Sequence, residues 1–297
     1  MTVALGIREA AEVLASVSDT PRLDAELLMA HVLGTTRTAM LLNAMRDPVP
    51  AGIAALVLRR LAHEPVAYIL GTQDFFGRTF HVEPGVLIPR ADSETTVLAA
   101  LCACPAPRRV LDCGVGSGAL LLSVLAERPG AMGIGIDRSR VAIEIAGKNA
   151  MALALQGDWS MQLADWTEPG WTADLGKFDL ILANPPYVEA GAELEPQVRD
   201  HEPPGALFAG RDGLDAYRVL IPQLPALLEA DGVAVLEIGQ SQAEAVTALA
   251  EASGFAATLH RDLAARPRAL SLRIGAIKKP LGKGGDPDYP GTKPAGG

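Results

Sequence analysis

Aromatic residues make up only 4% of this sequence, and bases are outnumbered: 26 Lys and Arg stand against 35 Asp and Glu, a formal charge of -9. A molecule of that sign repels a phosphate backbone as a whole, which disfavours a nucleic-acid substrate. Cysteine is rare too. Cys102, Cys104 and Cys113 give no even disulfide framework, and a Cys-x-Cys spacing without further Cys or His ligands is a poor metal site. No apolar run approaches the ~20 residues that span a bilayer. The N-terminus lacks the basic stretch, apolar core and small-residue cleavage site of a signal peptide. A reduced, cytoplasmic, soluble protein without a metal or a membrane partner is therefore expected. The composition itself is ordinary, with 49% hydrophobic and 21% charged residues over 297 positions. It excludes whole-chain disorder and leaves room for one large domain or two smaller ones.

Apolar residues recur at helical spacing from Val3 to about Gly71, as in Ala10, Val13, Leu14 and Val17, and again in Leu23, Leu27 and Leu28. Thr20-Pro21 predicts a helix start, with a hydroxyl to cap and a proline at the first position. Breaks at Gly34-Thr35-Thr36 and at Asp47–Pro50 divide the segment into several short helices, a small bundle suited to packing or partner docking. Phe75, Phe76, Phe80, Val82, Val86 and Ile88, interleaved with glycines and prolines, read as a hairpin or extended linker. Beyond Ala91 strands and helices alternate. Strands are expected at 109–113, 132–136, 161–164, 178–183, 233–238, 257–260 and 269–274, with helices at 93–103, 119–127, 140–152, 214–229 and 242–252. The pattern predicts an α/β fold with a mostly parallel sheet covered on both faces. The division expected is a bundle over 1–73, a hairpin linker over 74–91, a catalytic domain over 92–277 and a disordered Gly/Pro/Lys tail over 278–297.

Asp112-Cys113-Gly114-Val115-Gly116-Ser117-Gly118 leaves a buried strand and runs into a helix. Alternate glycines let the backbone turn sharply and bring helix-start N–H groups close to a ligand, although an ordinary strand-to-helix turn uses glycine in the same way. The spacing differs from the dinucleotide G-x-G-x-x-G and lacks the ending of a phosphate loop. The next strand ends at Asp137, where a carboxylate can accept both hydroxyls of a ribose. Asp112, the glycines and Asp137 together suggest a nucleoside ligand without a required pyrophosphate, and S-adenosylmethionine fits. After the third strand, Asp165 can accept from the adenine amino group, or it is a turn residue. Trp166 covers the ring, or it is a core or lid residue.

The fourth strand runs directly into Asn184-Pro185-Pro186-Tyr187, which the topology of an open sheet sends to the same crevice. An amide or exocyclic amine nitrogen is a poor nucleophile because its lone pair is delocalised. A site that accepts its two N–H bonds, at the Asn184 side-chain oxygen and the Pro185 carbonyl, holds that nitrogen in line with a methyl group. Prolines 185 and 186 stiffen the loop and remove competing donors. Tyr187 offers a face for stacking. Orientation, rather than a strong base, then supplies most of the acceleration.

With these residues in place, the sequence resembles the HemK family of protein-(glutamine-N5) methyltransferases, which modify bacterial peptide chain release factors. The resemblance runs to about Ile277 and includes Glu64–Gly71, Phe75-Phe76-Gly77, Val82–Arg90 and Arg199–Pro203, the Pro84–Arg90 stretch being the most specific. It implies a Rossmann-like class I S-adenosylmethionine-dependent sheet. It makes Gly114, Gly116, Gly118, Asp137, Trp166 and Asn184 cofactor contacts, and Asn184, Pro185, Pro186 and Tyr187 the clamp for the glutamine of a Gly-Gly-Gln loop. Two departures stand out: the family's usual threonine after the first glycine is Val115 here, and Pro-Asp-Thr-Glu after Arg90 reads Ala91-Asp92-Ser93-Glu94.

The function expected is methyl transfer from S-adenosylmethionine, leaving S-adenosylhomocysteine, to the release-factor glutamine, with Asn184, Pro185 and Tyr187 at the reaction centre. A ribosomal-protein glutamine is an alternative target, and an adenine-N6 DNA or RNA methyltransferase uses the same clamp but needs a basic groove and a base-flipping pocket. A binding module without activity is the remaining reading. Arg90 bridges the linker to the crevice or forms a structural pair with a carboxylate. Glu237 is an acceptor behind the crevice or a buried paired acid.

Overall fold

The computed structural model describes residues 1–155 and 157–275; the tail expected at 278–297 lies outside the described residues. Five helices come first, α1 (Val3–Leu14), α2 (Pro21–Val32), α3 (Arg37–Asn43), α4 (Ile53–Leu61) and α5 (Val66–Leu70). They close around Val3, Ile7, Leu14, Leu28, Met29 and Met40, all fully buried. Thr2 and Thr36 cap α1 and α3 through their hydroxyls, as short oxygen-bearing side chains do at helix starts. Thr20 does not cap α2. Its hydroxyl bonds Asp24 at 3.3 Å, and Asp24 also accepts from the buried Arg60 of α4 at 2.8 Å. Proline at the first position starts the helix without that cap.

A hairpin of β1 (Thr72–Phe75) and β2 (Arg78–His81) follows, pairing Thr72 with His81 and Phe75 with Arg78. The chain then turns at Glu83–Val86 and runs on to a single 3-10 turn before α6 (Glu94–Ala103). Alternation begins in earnest with β3 (Arg109–Cys113), α7 (Ala119–Glu127), β4 (Met132–Asp137), α8 (Arg140–Ala152), β5 (Trp159–Leu163) and β6 (Phe178–Ala183). After the short α9 (Pro196–Arg199) come α10 (Asp215–Leu220), α11 (Leu224–Leu227), β7 (Leu228–Glu237), α12 (Ala243–Ala252), β8 (Phe255–Arg261) and β9 (Pro267–Ile274).

The seven-stranded sheet has the order β5-β4-β3-β6-β7-β9-β8. Its first five strands are parallel and β9 runs antiparallel to both neighbours. Alternate residues serve opposite faces. Leu111, Ile181, Ala234 and Leu236 meet α10 to α12, while Val110, Leu180, Val233 and Val235 meet α6 to α8. With both faces buried, the strands read as nearly continuous apolar runs. The helix expected over 214–229 is instead broken into α10, a 3-10 turn and α11, because Pro222 and Pro225 supply no N–H to the ladder. β7 consequently starts at Leu228, earlier than its expected start at 233.

The order reverses at β3, which lies between β4 and β6. The connections after the neighbouring strands β3 and β6 lead to helices on opposite faces of the sheet, opening a crevice beyond the carboxyl ends of the strands. Register does the rest: Cys113 pairs with Ile136 on one side and with Ala183 on the other. Gly114, Asp137 and Asn184 are thereby delivered to one edge. Among the described residues no helix is long and apolar enough to cross a membrane.

Candidate active site

Gly114, Gly116 and Gly118 all have positive φ, at 83°, 54° and 86°, a conformation side-chain-bearing residues rarely hold. Gly114 and Val115 donate to the Ile136 carbonyl at 2.9 and 2.8 Å, which fastens the loop across the end of β4. The Gly116 N–H donates to Asp137 Oδ2 at 3.0 Å and the Ser139 N–H to Oδ1 at 2.8 Å. Each carboxylate oxygen keeps a second lone pair for a ligand hydroxyl. Burial raises the Asp137 pKa, opposed by those same two N–H groups.

A cavity of about 420 Å³ opens here, lined by Asp112, Gly114, Gly116, Asp137, Asp165, Trp166, Asn184 and Pro186 among others. That volume lies within the range of small-molecule sites. Asp112 is 1% exposed; its Oδ2 accepts from the Leu121 N–H at 3.2 Å and its Oδ1 has no partner. Burial pushes its pKa up to about 7. An orphaned, buried carboxylate oxygen beside a cavity suits a cationic ligand group, since a buried polar atom left unpaired is costly. The residues present thus fit a nucleoside with a cationic amino-acid end.

The Asp165 Oδ1 accepts from the Thr167 N–H and hydroxyl at 2.8 and 2.7 Å, so the residue closes a turn while also lining the cavity. Trp166 stands over the loop: a Cβ on Gly114 would lie 3.1 Å from its ring. Glycine at 114 is therefore favoured by φ, and the indole leaves little room for a side chain there. The Asn184 carboxamide bonds to nothing within the chain among the described residues and borders the cavity.

Three of the expected site residues stand outside the lining. Gly118 lies at the start of α7, where a Cβ would meet Leu122 and Ala146, so its smallness serves helix packing. Pro185 is buried, and Tyr187 packs on the core below. Burial first, then the Glu237 carboxylate, pushes the Tyr187 phenol up to about 12. Glu237 ends β7 beside this loop, its carboxylate accepting from the Thr96 hydroxyl at 3.4 Å; burial drives its pKa up to about 7.

Other contributors come from segments remote from the glycine loop, two of which, Val82–Arg90 and Arg199–Pro203, carry the family resemblance without any spacing that shows their contacts. The extended segment 85–90 and the stretch 203–210 supply much of the cavity wall. Glu202, 3% exposed, joins them: it pairs with Arg90 and accepts from the Ile88 N–H at 3.3 Å. Arg90 therefore does both things expected of it, lining the cavity and meeting a carboxylate. From the opposite side Arg138 Nη2 donates to the Gly205 carbonyl at 2.8 Å. Asn149 of α8 donates to the Ser117 carbonyl at 2.8 Å and accepts from the His81 N–H at 2.7 Å, tying the hairpin to the glycine loop. Tyr68 of α5 donates to the Val86 carbonyl at 2.6 Å, so the bundle reaches the cavity wall. These partners are separated by 18 to 114 residues in sequence, which no spacing rule spans.

Residues 7–71 match the family described as the PrmC N-terminal domain, and residues 77–200 the methyltransferase small domain. The chain is 41% identical over 285 residues to the release factor glutamine methyltransferase of Rhodospirillum rubrum, an overlap of 92% of this chain and 86% of that one. It is 39% identical over 284 residues to the protein of the same name from Cereibacter sphaeroides, covering 93% of this chain and 100% of the relative. Among solved structures it is similar in fold to a methyltransferase from Pyrococcus furiosus, with a TM-score of 0.51 and 14% identity over 75% of this chain and 98% of that chain.

Proposed function

The chain belongs to the family of release factor glutamine methyltransferases, and from that premise we propose that it moves the methyl group of S-adenosylmethionine to the side-chain amide nitrogen of the glutamine in the Gly-Gly-Gln motif of class 1 peptide chain release factors. The observation that carries this reading is the unbonded Asn184 carboxamide, which borders the same cavity as the Gly114–Ser117 backbone and Asp137.

The cofactor supplies an electrophilic methyl on a sulfonium sulfur. The chain's own task is to bind that cation and to orient a weak nucleophile. Asp137 accepts the ribose hydroxyls at its remaining lone pairs, and Asp112 Oδ1 faces the ammonium of the amino-acid end. Asp165 keeps one oxygen for the adenine amino group, against the Trp166 ring. Asn184 Oδ1 and the Pro185 carbonyl accept the two amide N–H bonds of the glutamine, turning its nitrogen lone pair toward the methyl; the nitrogen sheds one proton to solvent as the bond forms. Positioning of this kind supplies the larger part of the acceleration. The bundle over 1–73 docks the protein substrate.

Incubating the protein and labelled S-adenosylmethionine separately with release factors, ribosomal proteins and DNA tests the assignment. A methyl on the Gly-Gly-Gln glutamine, located by peptide mass, is expected; labelling confined to ribosomal protein or to DNA would replace it with those targets. Asn184→Ala should lower kcat on the order of 100-fold or more, with cofactor affinity within several-fold. Full activity in that variant would sink the amide clamp.

A further inference from the structure

Gln242 precedes α12, where helices usually carry a short side chain that caps the first turn. It makes no such cap. Its carboxamide points the other way and, although only 9% exposed, is fully bonded. Oε1 accepts from the Gly239 N–H at 3.1 Å, while Nε2 donates to the Tyr187 carbonyl at 3.0 Å and to the Gly213 carbonyl at 3.3 Å. Only this orientation works, since the flipped amide would set its oxygen against two carbonyls.

The two glycines make the approach possible. A Cβ on Gly239 would stand 2.8 Å from Oε1, and one on Gly213 would stand 2.6 Å from Nε2 and collide with the Tyr187 carbonyl. One side chain thereby joins three segments: the exit of Asn184–Tyr187, the turn before α10 and the turn after β7. The same exit is held on its far side, where Val188 donates to Leu207 at 2.8 Å and Ala190 to Gly210 at 2.8 Å. The prolines stiffen the tetrapeptide from within; Gln242 fixes its end from outside.

We propose that Gln242 is a positioning residue for methyl transfer, holding the Asn184–Tyr187 loop at the height where the Asn184 oxygen meets the substrate amide. The inference rests on the reading of that loop as a glutamine clamp. Replacing Gln242 by Glu keeps the shape and makes the two donors depend on pH. An ionised carboxylate offers no N–H and repels both carbonyls, whereas the protonated acid returns one O–H donor and still accepts from Gly239.

The test measures kcat and KM for wild-type protein and Gln242→Glu on intact release factor, from pH about 6 to about 8.5. Tyr187, Glu237, Asp212, Arg218, Asp215 and Glu244 lie on or beside the joined segments and are present in both proteins, so wild type is measured at every pH as the reference. The kcat of the variant should be at least about tenfold below wild type at pH about 8.5, where the carboxylate is ionised, with cofactor affinity unchanged. A ratio near one at that pH, or a change in KM alone, overturns the inference. Inactivity of the wild-type protein toward release factor would instead overturn the clamp reading, and this inference with it. Should Gln242→Glu not fold, Gly239→Ala disturbs the same carboxamide without deleting it. It should lower kcat at least about fivefold with cofactor affinity intact, and full kcat there overturns the inference as well.

Discussion

Asp112 holds its charge state in balance. Burial raises its pKa to about 7, the Leu121 N–H opposes that rise and the Asp137 charge adds to it. For an acid raised above its ordinary value of 3.8, the contribution to stability is fully present below that value and is lost as pH rises through about 7. A cation bound at the orphaned oxygen favours the ionised form and reverses the penalty. Affinity for S-adenosylmethionine should therefore rise from pH about 6 to about 8, and Asp112→Asn should weaken binding about tenfold and flatten the profile. Calorimetric titration at several pH values checks this, and a wild-type affinity independent of pH would refute it. Asp112 and Asp137 are legible in the sequence because each stands at the carboxyl end of an apolar strand, Asp112 one residue before the last and Asp137 the last. The bonding of Tyr187 through its carbonyl, and the unbonded state of Asn184, depend on segments remote in sequence.

Among the elements, the extended strap after the hairpin shows how an unremarkable stretch acquires a role. Arg90 pairs with Glu202, whose side chain is 1% exposed against 39% for Arg90. The two partners are thus unequal. Losing the arginine strands a buried carboxylate with the Ile88 N–H as its one remaining partner among the described residues, whereas neutralising the glutamate leaves an arginine that water can reach. Arg90→Met is expected to cost ~2 kcal/mol of stability and Glu202→Gln ~1 kcal/mol or less. Urea unfolding of both variants decides the point, and equal losses would contradict it. The segment 214–229 teaches the converse. Its apolar spacing is helical throughout, yet two prolines cut the ladder, so periodicity located the buried face while backbone donors decided the elements.

In the whole molecule, the helical bundle meets the catalytic region through Tyr68 and the cluster of Ala67, Tyr68, Val82, Val86, Ile88, Ala142 and Ile145. Val86 and Ile88 of that cluster also line the cavity. Leu42 and Leu58, on α3 and α4, stay 77% and 66% exposed and take no part in the bundle's core. If the bundle docks the protein substrate, Leu42→Ser with Leu58→Ser should raise KM for intact release factor about fivefold or more, as for loss of peripheral apolar contacts. Activity on a short Gly-Gly-Gln peptide should be unchanged. An equal effect on protein and peptide would remove the docking role. The net charge of -9 is compatible with a cationic cofactor and a protein target, and it names neither.

The sequence by itself determined the class of fold, the glycine loop, Asp137 and the Asn184–Tyr187 loop, because each of these depends on residues adjacent in the chain: strand periodicity, φ-permissive glycines and proline stiffness. Tertiary structure alone decided which of them face the cavity. Register brought Gly114, Asp137 and Asn184 to one edge, while the side chains of Pro185 and Tyr187 pack inward and Gly118 serves the start of α7. The ties that Glu202, Arg138 and Tyr68 make to the cavity wall, and the anchor made by Gln242, also required the folded chain, since a hydrogen bond is short-ranged and carries no trace of the 55 residues separating Gln242 from the carbonyl it holds.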